Sequence, residues 1–335
     1  MDLDLPRAAN TANNQRQQDL PRPHKVAVVG TGQVGSTFAY ALLTSGLVGE
    51  MVLIDVNRSR AEGEAMDLSH AVPLSNPMRI WAGDYADCAG ADVTVVAAGT
   101  AQRPGERRLD LLKRNAAIFH DIIPHIVEYN RTGILLIATN PVDILSYVAW
   151  KVSGLPAERV IGSGTVLDTA RFRYLLAQHL GVDSRNVHAH IIGEHGDSEV
   201  PVWSVANVTG IGLESYCQRH GCDLGPEARE EIFSRTRDAA YEIIQRKGAT
   251  YYAVAMGLLR IVESILRNQH TVLSVSSLVP KYYEVQDVYL SLPAVVGRSG
   301  VEWILHLPLD NTETTALRRS AAILREALDQ LEAPE

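Results

Sequence analysis

The feature that most constrains the fold is a glycine-rich turn near the N-terminus. The β-branched run KVAVV at 25–29 is followed at once by GTGQVG, which contains Gly30, Gly32 and Gly35, and then by a helix-like stretch. In such a unit the first glycine permits a tight turn, the second lets the backbone approach a pyrophosphate, and the third lets the helix pack on the strand. The first amides of the helix then face the phosphates. The pattern predicts a dinucleotide site at the start of a parallel α/β sheet.

An acidic residue at the end of the next strand indicates which dinucleotide binds. Asp55 closes the apolar run MVLID and lies 20 residues after Gly35, the spacing of a carboxylate that holds the hydroxyls of the adenine ribose. Such a carboxylate would repel a 2′-phosphate, so the sequence favours NAD over NADP. A GxGxxG motif by itself can also be an ordinary glycine-rich turn, but here a strand, a helix and an acidic residue stand in register with it.

The apolar runs that follow predict a doubly wound parallel sheet. Residues 93–97 and 134–138 are almost continuously apolar, as strands buried on both faces of a parallel sheet are. A helical segment at 109–129 lies between them and predicts a right-handed crossover. Together these elements predict a Rossmann α/β domain over 25–162.

The second half of the chain has a different character. Beyond about residue 160, strand-like runs are mixed with long helical patterns such as 249–266 and 314–331. This mixture predicts an α+β catalytic domain over 163–332. Residues 1–24 are polar and contain several prolines, so we expect a disordered tail there.

Composition excludes several other classes of protein. The 335 residues carry 31 Lys and Arg against 39 Asp and Glu, a net charge of -8, whereas nucleic-acid binders more often carry a basic surplus. The N-terminal segment has the features of neither a signal nor a transit peptide, and no apolar run approaches the ~20 residues of a membrane span. We therefore expect a soluble, cytoplasmic protein. Cys88, Cys217 and Cys222 lack metal-ligand spacing, and we expect reduced structural thiols and no metal site.

Three polar residues have the spacing of a catalytic group. Asp168 and Arg171 are three residues apart in a helical pattern and so share one face, whereas Arg173 lies about 200° round the helix from Arg171. Arg171 is therefore the candidate for a two-pronged grip on a carboxylate. His195 follows an apolar strand, and a buried carboxylate such as Asp168 would orient its ring and stabilise its charged, proton-donating form. A single histidine in such a context is more often a surface or core residue, and its neighbours favour the catalytic interpretation.

Four ordered motifs resemble those of the lactate and malate dehydrogenase family. They are TNPVD at 139–143, GSGTVLDTAR at 162–171, GEHGDSEVPVW at 193–203 and KGATYYA at 247–253, and the likeness extends from Lys25 to Leu331. The resemblance implies an enzyme that transfers a hydride between NAD and a 2-hydroxy acid. In it, His195 donates and accepts the proton, with Asp168 as its partner. Arg171 holds the substrate carboxylate, and Asn140 hydrogen-bonds at the nicotinamide and the substrate.

The same resemblance extends the NAD site beyond the glycine-rich turn. The further residues that it implies are Gln33, Val34, Tyr85, Gly99, Thr100, Ala138, Asn140 and Ser163.

The segment at 97–115 resembles the mobile loop that closes over the substrate in this family. By this match Gln102 faces the far end of the substrate and Arg108 polarises its carbonyl, while the spacing disfavours the neighbouring Arg107. Malate-specific relatives carry Arg where this chain has Gln102. A neutral side chain there would leave the second carboxylate of oxaloacetate buried without a partner, at a cost of several kcal/mol. Thr250 also matches the lactate-type relatives, so the resemblance predicts pyruvate and L-lactate as substrates.

Two alternatives stay open at this point. One is an enzyme for malate or for a broader range of 2-hydroxy acids on the same fold, with Gln102 only a solvated loop residue. The other is a catalytically silent NAD-binding protein, although such a protein would have no reason to keep the whole set of catalytic residues.

The resemblance also implies regulation and assembly. Bacterial relatives that fructose 1,6-bisphosphate activates carry an Arg and a His at positions matching Arg173 and His188, where two subunits meet. Arg173 points away from the catalytic face, which leaves it available for a phosphate site between subunits. The alternative is an arginine that forms a salt bridge at an interface. The resemblance further implies a homotetramer that acts at the last, lactate-forming step of glycolysis.

Overall fold

The computed structural model describes residues 23–101 and 108–332. The strands in this part of the chain are β1 (Lys25–Val29), β2 (Glu50–Ile54), β3 (Arg79–Ala82), β4 (Val93–Val96), β5 (Ile134–Ile137), β6 (Val160–Gly162), β7 (Val187–Ile192), β8 (Val200–Val208), β9 (Ile211–Gly212), β10 (Thr271–Leu278), β11 (Tyr289–Gly297) and β12 (Gly300–Ile304). The helices are α1 (Gln33–Ser45), α2 (Arg58–Ala71), α3 (Arg108–Tyr129), α4 (Val142–Ser153), α5 (Val166–Leu180), α6 (Leu213–His220), α7 (Pro226–Lys247), α8 (Tyr252–Leu266) and α9 (Asn311–Glu332).

One large sheet organises the described residues. Its strand order is β12-β11-β10-β6-β5-β4-β1-β2-β3, and all neighbouring pairs from β3 to β6 are parallel. The order of the strands reverses between β1 and β4, as in a doubly wound sheet, so the predicted Rossmann fold is confirmed. Ligands of such sheets bind beyond the carboxyl ends of the strands at this reversal.

Strand β1 lies at the centre of the sheet because its side chains are apolar on both faces. Val28 belongs to one buried cluster with Phe38 and Leu42 of α1, and Val29 belongs to a second cluster with Phe119 of α3. Each fully buried side chain of this size contributes about 1.5–3 kcal/mol. The two apolar layers hold α1 so that its N-terminus lies at the carboxyl edge of the sheet.

The second half of the chain contributes to this sheet and also builds another. Strands β10, β11 and β12 extend the large sheet as antiparallel strands beyond β6, where Ser276 pairs with Gly162. Strands β7, β8 and β9 form a separate antiparallel sheet, and a third apolar cluster around Phe172 and Val187 covers it. The α+β character expected of this half is confirmed. The sequence did not indicate that three of its strands join the parallel sheet.

Two of the three cysteines depart from the prediction. A disulfide joins Cys217 and Cys222, whose Cα atoms are 4.6 Å apart, so the expectation of reduced thiols is wrong for this pair. The physical reason is local: α6 ends at His220, and Gly221, with a φ of 72°, turns the chain back so that Cys222 meets Cys217. Cys88 keeps a free thiol inside the protein, where burial raises its pKa to about 12.

Most of the tail expected at 1–24 lies outside the described residues. His24, at its end, contacts the sheet: its carbonyl accepts hydrogen bonds from the backbone N–H groups of Gly49 (3.0 Å) and Glu50 (3.2 Å). Its ring lies 3.2 Å from the carboxylate of Asp92. The fold therefore includes the residue directly before β1. None of the helices in the described ranges has the length and apolar content that crossing a membrane requires.

Candidate active site

The glycine-rich turn joins β1 to α1 at the carboxyl edge of the sheet. Gly30 has a φ of 96°, and a Cβ at this position would clash with the backbone of Ala98. A Cβ on Gly35 would clash with the carbonyl oxygen of Gly30. At Gly32, by contrast, a Cβ would have no heavy atom within 4 Å. Two of the glycines are thus required by close backbone packing, and the third borders open space.

The open space at Gly32 suits the pyrophosphate of a dinucleotide. No side chain caps the first amides of α1, and the first turn of the helix has no acidic residue, so its N–H groups can bind an anion. Beside the turn, Asp55 accepts hydrogen bonds from the backbone N–H (2.7 Å) and the hydroxyl (2.9 Å) of Thr31. These residues fit NAD, because a carboxylate at the end of β2 suits a ribose better than a 2′-phosphate.

The other residues expected to bind NAD lie along the same edge of the sheet. They are Gln33 and Val34 in the first turn of α1, Tyr85 after β3, Gly99 and Thr100 after β4, Ala138 and Asn140 after β5, and Ser163 after β6. Ala138, Asn140 and Ser163 line one small cavity together with His195. The expected nicotinamide end of the site therefore reaches the expected proton donor.

A buried amide that the sequence analysis does not single out links two of these strand ends. Asn115 of α3 accepts hydrogen bonds from the N–H (2.9 Å) and hydroxyl (3.1 Å) of Thr100. It donates to the carbonyl of Asn140 over 2.9 Å. Asn115 is fully buried, and the signal in the sequence is a lone amide inside a long helix, which is costly to bury without partners.

Asp168 brings the two predicted catalytic cations together. It lies in the first turn of α5, is only 2% exposed, and its Oδ2 is 2.5 Å from Nδ1 of His195. The Nη1 group of Arg171 donates to its other oxygen, Oδ1, over 2.9 Å. One helix and the segment that follows β7 therefore position all three side chains.

Asp168 also determines the charge of His195. Burial by itself lowers the pKa of the imidazole, but the charge of Asp168 and its hydrogen bond outweigh burial and raise that pKa to about 9. Burial likewise works to raise the pKa of Asp168, yet the charge and hydrogen bond of His195 and the charge of Arg171 hold it below its usual range. At neutral pH the pair is an imidazolium beside a carboxylate, so His195 can donate a proton.

A second buried acid holds the backbone of His195. Asp143 of the TNPVD motif accepts a hydrogen bond from the His195 N–H over 2.7 Å, and burial raises its pKa to about 6. The sequence analysis gives Asp143 no role, because a motif does not show which of its residues turn inward. Asp143 is a positioning residue that fixes the segment carrying the imidazole.

A cavity of about 370 Å³ opens in front of this group. His195, Asp168, Arg171 and Asn140 lie in its walls, so an imidazolium, a guanidinium and an amide surround one space, and a small carboxylic acid fits there. Thr250 lies half-buried between α7 and α8 and is not in the walls of this cavity. Among the described residues no cluster of His, Cys, Asp or Glu has the arrangement needed to hold a metal ion.

Three expected substrate-loop residues fall where the structure gives no side-chain detail. Gln102 and Arg107 lie outside the described residues. Arg108 is the first residue of α3, and its side chain also lies outside the description.

Arg173 and His188 are separate from the catalytic cavity. Arg173 projects from α5 into a different cavity of about 250 Å³, which Arg185 and His190 also line. Its Nε donates to the carbonyl of Ala189 over 2.9 Å. His188, on β7, is exposed. Arg171 and Arg173 thus serve different cavities, in keeping with their spacing on one helix.

Both halves of the chain match models of one protein family. Residues 24–162 match the lactate/malate dehydrogenase NAD-binding domain, and residues 165–335 match the lactate/malate dehydrogenase alpha/beta C-terminal domain. The chain belongs to the lactate/malate dehydrogenase family. The family resemblance read from the motifs is confirmed, and the glycine-rich turn lies in the part of the chain that this family uses to bind NAD.

Relatives within the lactate/malate dehydrogenase family cover nearly the whole chain. It is 54% identical over 309 residues to the L-lactate dehydrogenase of Acetivibrio thermocellus, which covers 92% of this chain and 97% of that protein. It is 51% identical over 315 residues to the L-lactate dehydrogenase of Priestia megaterium, with 94% and 99% covered.

Solved structures of the family have the same fold. A lactate dehydrogenase from a Medee basin deep-sea metagenome library superposes with a TM-score of 0.90 at 49% identity, over 93% of this chain and 100% of that one. The minor L-lactate dehydrogenase of Enterococcus mundtii, in a ligand-bound form, gives a TM-score of 0.90 at 42% identity, over 93% and 99%.

Proposed function

We propose that the protein has NAD-dependent L-lactate dehydrogenase activity and interconverts pyruvate, NADH and a proton with L-lactate and NAD⁺. The observation that carries this proposal is the contact of Asp168 with both His195 and Arg171 in one cavity. The identity with L-lactate dehydrogenases over nine-tenths of the chain supports the same activity. We assign the reaction to the last, lactate-forming step of glycolysis in the cytoplasm.

The residues of the cavity divide the chemistry between them. Arg171 binds the substrate carboxylate through its planar guanidinium, one edge of which Asp168 already holds. When bound, NADH supplies the hydride that reduces the carbonyl carbon. His195 donates its Nε2 proton to the carbonyl oxygen, which becomes the hydroxyl of lactate, while Asp168 keeps Nδ1 and the ring orientation. In the reverse direction neutral His195 accepts that proton.

We assign the cofactor to the edge of the sheet described above. The turn of Gly30, Gly32 and Gly35 holds the pyrophosphate, Asp55 holds the adenine ribose, and Asn140 lies at the nicotinamide. On this assignment 25–162 is the cofactor domain and 163–332 the catalytic domain.

Substrate choice is assigned to the loop that precedes α3. Gln102 faces the methyl group of pyruvate and Arg108 polarises the carbonyl, on the strength of the family resemblance of 97–115. Thr250 narrows the pocket in the same way. A dicarboxylate would bury an unpaired charge against the neutral Gln102.

Oxidation of NADH with pyruvate and, separately, with oxaloacetate tests this function. We expect kcat/KM for pyruvate to be larger by about 100-fold, since about 3 kcal/mol of charge burial corresponds to that factor. Gln102→Arg should move the preference towards oxaloacetate. A preference of the unaltered protein for oxaloacetate would favour malate as substrate, and inactivity with both would favour a silent NAD-binding protein.

We further propose a homotetramer that fructose 1,6-bisphosphate activates through Arg173 and His188. The basic cavity around Arg173, which Arg185 also lines, supports a phosphate site apart from the catalytic cavity. At low pyruvate the bisphosphate should raise activity, and Arg173→Gln should abolish that response while the exposed Arg260→Gln keeps it. Unchanged kinetics across the titration would contradict the activator, and light scattering of a particle other than four chains would contradict the tetramer.

A further inference from the structure

Glu199 is a buried acid in the cavity wall that the reaction does not use. It directly precedes β8 and is only 6% exposed. Its side chain lines the catalytic cavity together with Asp168, Arg171 and His195. It also lines a second cavity, of about 680 Å³, whose walls include Asn311 and Arg319 of α9. Glu199 therefore forms part of the partition between the substrate cavity and this outer cavity.

The carboxyl group of Glu199 lacks the contacts that stabilise a charge. Its buried Oε1 has no hydrogen-bond partner among residues 23–101 and 108–332, and Asp168 lies on the same side. Burial raises the pKa of Glu199 to about 8, and the charge of Asp168 adds to this, against the opposing charges of His195, Arg171 and Arg237. At neutral pH the group is an uncharged carboxylic acid.

Several charged or titratable groups face Glu199 from the surrounding elements. They are Asp168 and Arg171 of α5, Glu194, His195 and Asp197 of the segment after β7, Arg237 and Tyr241 of α7, and Arg319 of α9. Arg237 is paired with Asp238 over 2.9 Å, and Glu194 accepts a hydrogen bond from the N–H of Ser198 over 3.3 Å. The charges deepest in the cavity are therefore those of Asp168, Arg171 and His195.

The balance of these three charges depends on Glu199. With Glu199 uncharged, the two cations and one carboxylate leave a single positive charge, which matches a monocarboxylate substrate. With Glu199 ionised, that positive charge is cancelled and the bound substrate would bring an uncompensated negative charge. We propose that Glu199 sets the charge of the substrate cavity: its neutral form admits the monocarboxylate, and its ionisation in alkaline solution weakens substrate binding. This inference rests on the proposed function.

The outer cavity gives the proton of Glu199 a route to solvent. Because Glu199 lines this cavity with Asn311 and Arg319, the proton can leave without crossing the substrate cavity. Glu199 thus titrates with the surrounding solution whether or not the substrate cavity is filled. A substrate anion that needs the neutral acid must then take up a proton with it when it binds in alkaline solution.

Binding of oxamate, the unreactive amide isostere of pyruvate, to the NADH-loaded enzyme tests the proposal. Nicotinamide fluorescence gives its Kd from pH 6 to pH 10. In the wild type, loss of a proton from Glu199 and then from His195 should raise Kd about tenfold between pH 8 and pH 9. In Glu199→Gln, where only His195 titrates, Kd should rise about twofold over that interval, with binding at pH 6.5 retained.

Asp197→Asn is the matched control. Asp197 lines the same two cavities but is exposed, so this variant removes a carboxylate from the same walls without changing the buried acid. It should keep the tenfold rise. Superimposable profiles for Glu199→Gln and the wild type would overturn the proposal. So would a Glu199→Gln variant that binds oxamate more tightly at every pH, because that result means a carboxylate already ionised at pH 6.

Calorimetry of the wild type gives a second measurement that needs no variant. Titration with oxamate at pH 8.5 in buffers of different ionisation enthalpy counts the protons taken up. With both groups coupled to binding the uptake should be about one proton, and with His195 alone about a quarter of a proton. The smaller value would overturn the role of Glu199. Absence of oxamate binding at any pH would instead contradict the proposed lactate dehydrogenase function itself.

Discussion

Asp168 is the residue on which the chemistry of the site depends most. One buried carboxylate pairs with an imidazolium and with a guanidinium, so each cation has a counter-charge and a single side chain orients both. Removing one member of a buried pair leaves the other charge uncompensated, which costs about 3–5 kcal/mol. The proton donor and the carboxylate binder are thus in place before the substrate arrives, and little has to reorganise when it binds.

Substitution of Arg171 tests the carboxylate grip at the scale of one residue. Arg171→Lys keeps the charge but loses the planar fork that binds a carboxylate through two parallel hydrogen bonds. We expect KM for pyruvate to rise about 10- to 100-fold, with a smaller effect on kcat, because hydrogen bonds to charged groups contribute about 1.5–3 kcal/mol. Steady-state kinetics at saturating NADH measure this change.

The control for that experiment lies on α7. Arg235 is half-exposed and its nearest acidic partner is Glu231, one turn away at 3.6 Å, so Arg235→Lys should leave KM unchanged. Equal KM values for the Arg171 and Arg235 variants would contradict the assigned grip.

At the scale of elements, the turn between β1 and α1 separates stability from cofactor binding. A Cβ on Gly35 would clash with the carbonyl of Gly30, whereas a Cβ on Gly32 would extend into open space. Gly35→Ala should therefore lower Tm of the protein free of cofactor. Gly32→Ala should leave that Tm unchanged and weaken NADH binding at least about tenfold, because its methyl group occupies the space assigned to the pyrophosphate. Thermal unfolding and NADH fluorescence titration, run on both variants, distinguish the two effects.

Two results would be incompatible with this account of the turn. One is a Gly32→Ala variant that binds NADH as tightly as the wild type. The other is a Gly35→Ala variant with an unchanged Tm.

The first half of the fold can be predicted from local patterns because its signals are local. The run at 25–29, the glycine motif and the apolar runs at 93–97 and 134–138 each specify a strand or turn by their own composition, and the short parallel crossovers leave few ways to arrange them. The partners of β10 cannot be predicted this way. Its pairing with β6 joins Ser276 to Gly162 across more than a hundred residues, and nothing in either segment names the other.

The site shows the same division between local and non-local signals. The pairing of Asp168 with Arg171 follows from helical spacing, and His195 was found through its motif. Asn115 and Asp143 act through burial and through contacts with distant strand ends, which a single sequence does not reveal. Glu199 is missed for the same reason, since an acid in GEHGDSEVPVW reads as an ordinary polar residue until its depth is known.

At the scale of the whole molecule, three buried groups make stability depend on pH in one direction. Burial raises the pKa of Asp143 to about 6 and that of Glu199 to about 8, and His195 reaches about 9 because Asp168 outweighs burial. In the unfolded chain such groups titrate near 3.9, 4.3 and 6.5. Between about pH 5 and pH 9 the folded protein therefore binds more protons than the unfolded one, and stability falls as pH rises. The lowered pKa of Asp168 acts the other way and only in acid.

Thermal unfolding of the protein free of cofactor tests this direction. Tm should fall steadily from pH 6 to pH 9, and the fall should be shallower in Glu199→Gln, which has no group to titrate at that position. A Tm that rises over this range would contradict the proposed protonation of the buried groups. Identical slopes in the two proteins would contradict the contribution of Glu199.

The measurement that tests the central claim most directly is the effect of His195→Asn on pyruvate reduction and on NADH binding in the same preparation. The account predicts that kcat/KM for pyruvate falls about 10²- to 10⁴-fold, the usual contribution of a positioned proton donor, while fluorescence titration shows an unchanged Kd for NADH. A variant that retains most of the wild-type kcat/KM would contradict the claim that the imidazolium held by Asp168 protonates the substrate.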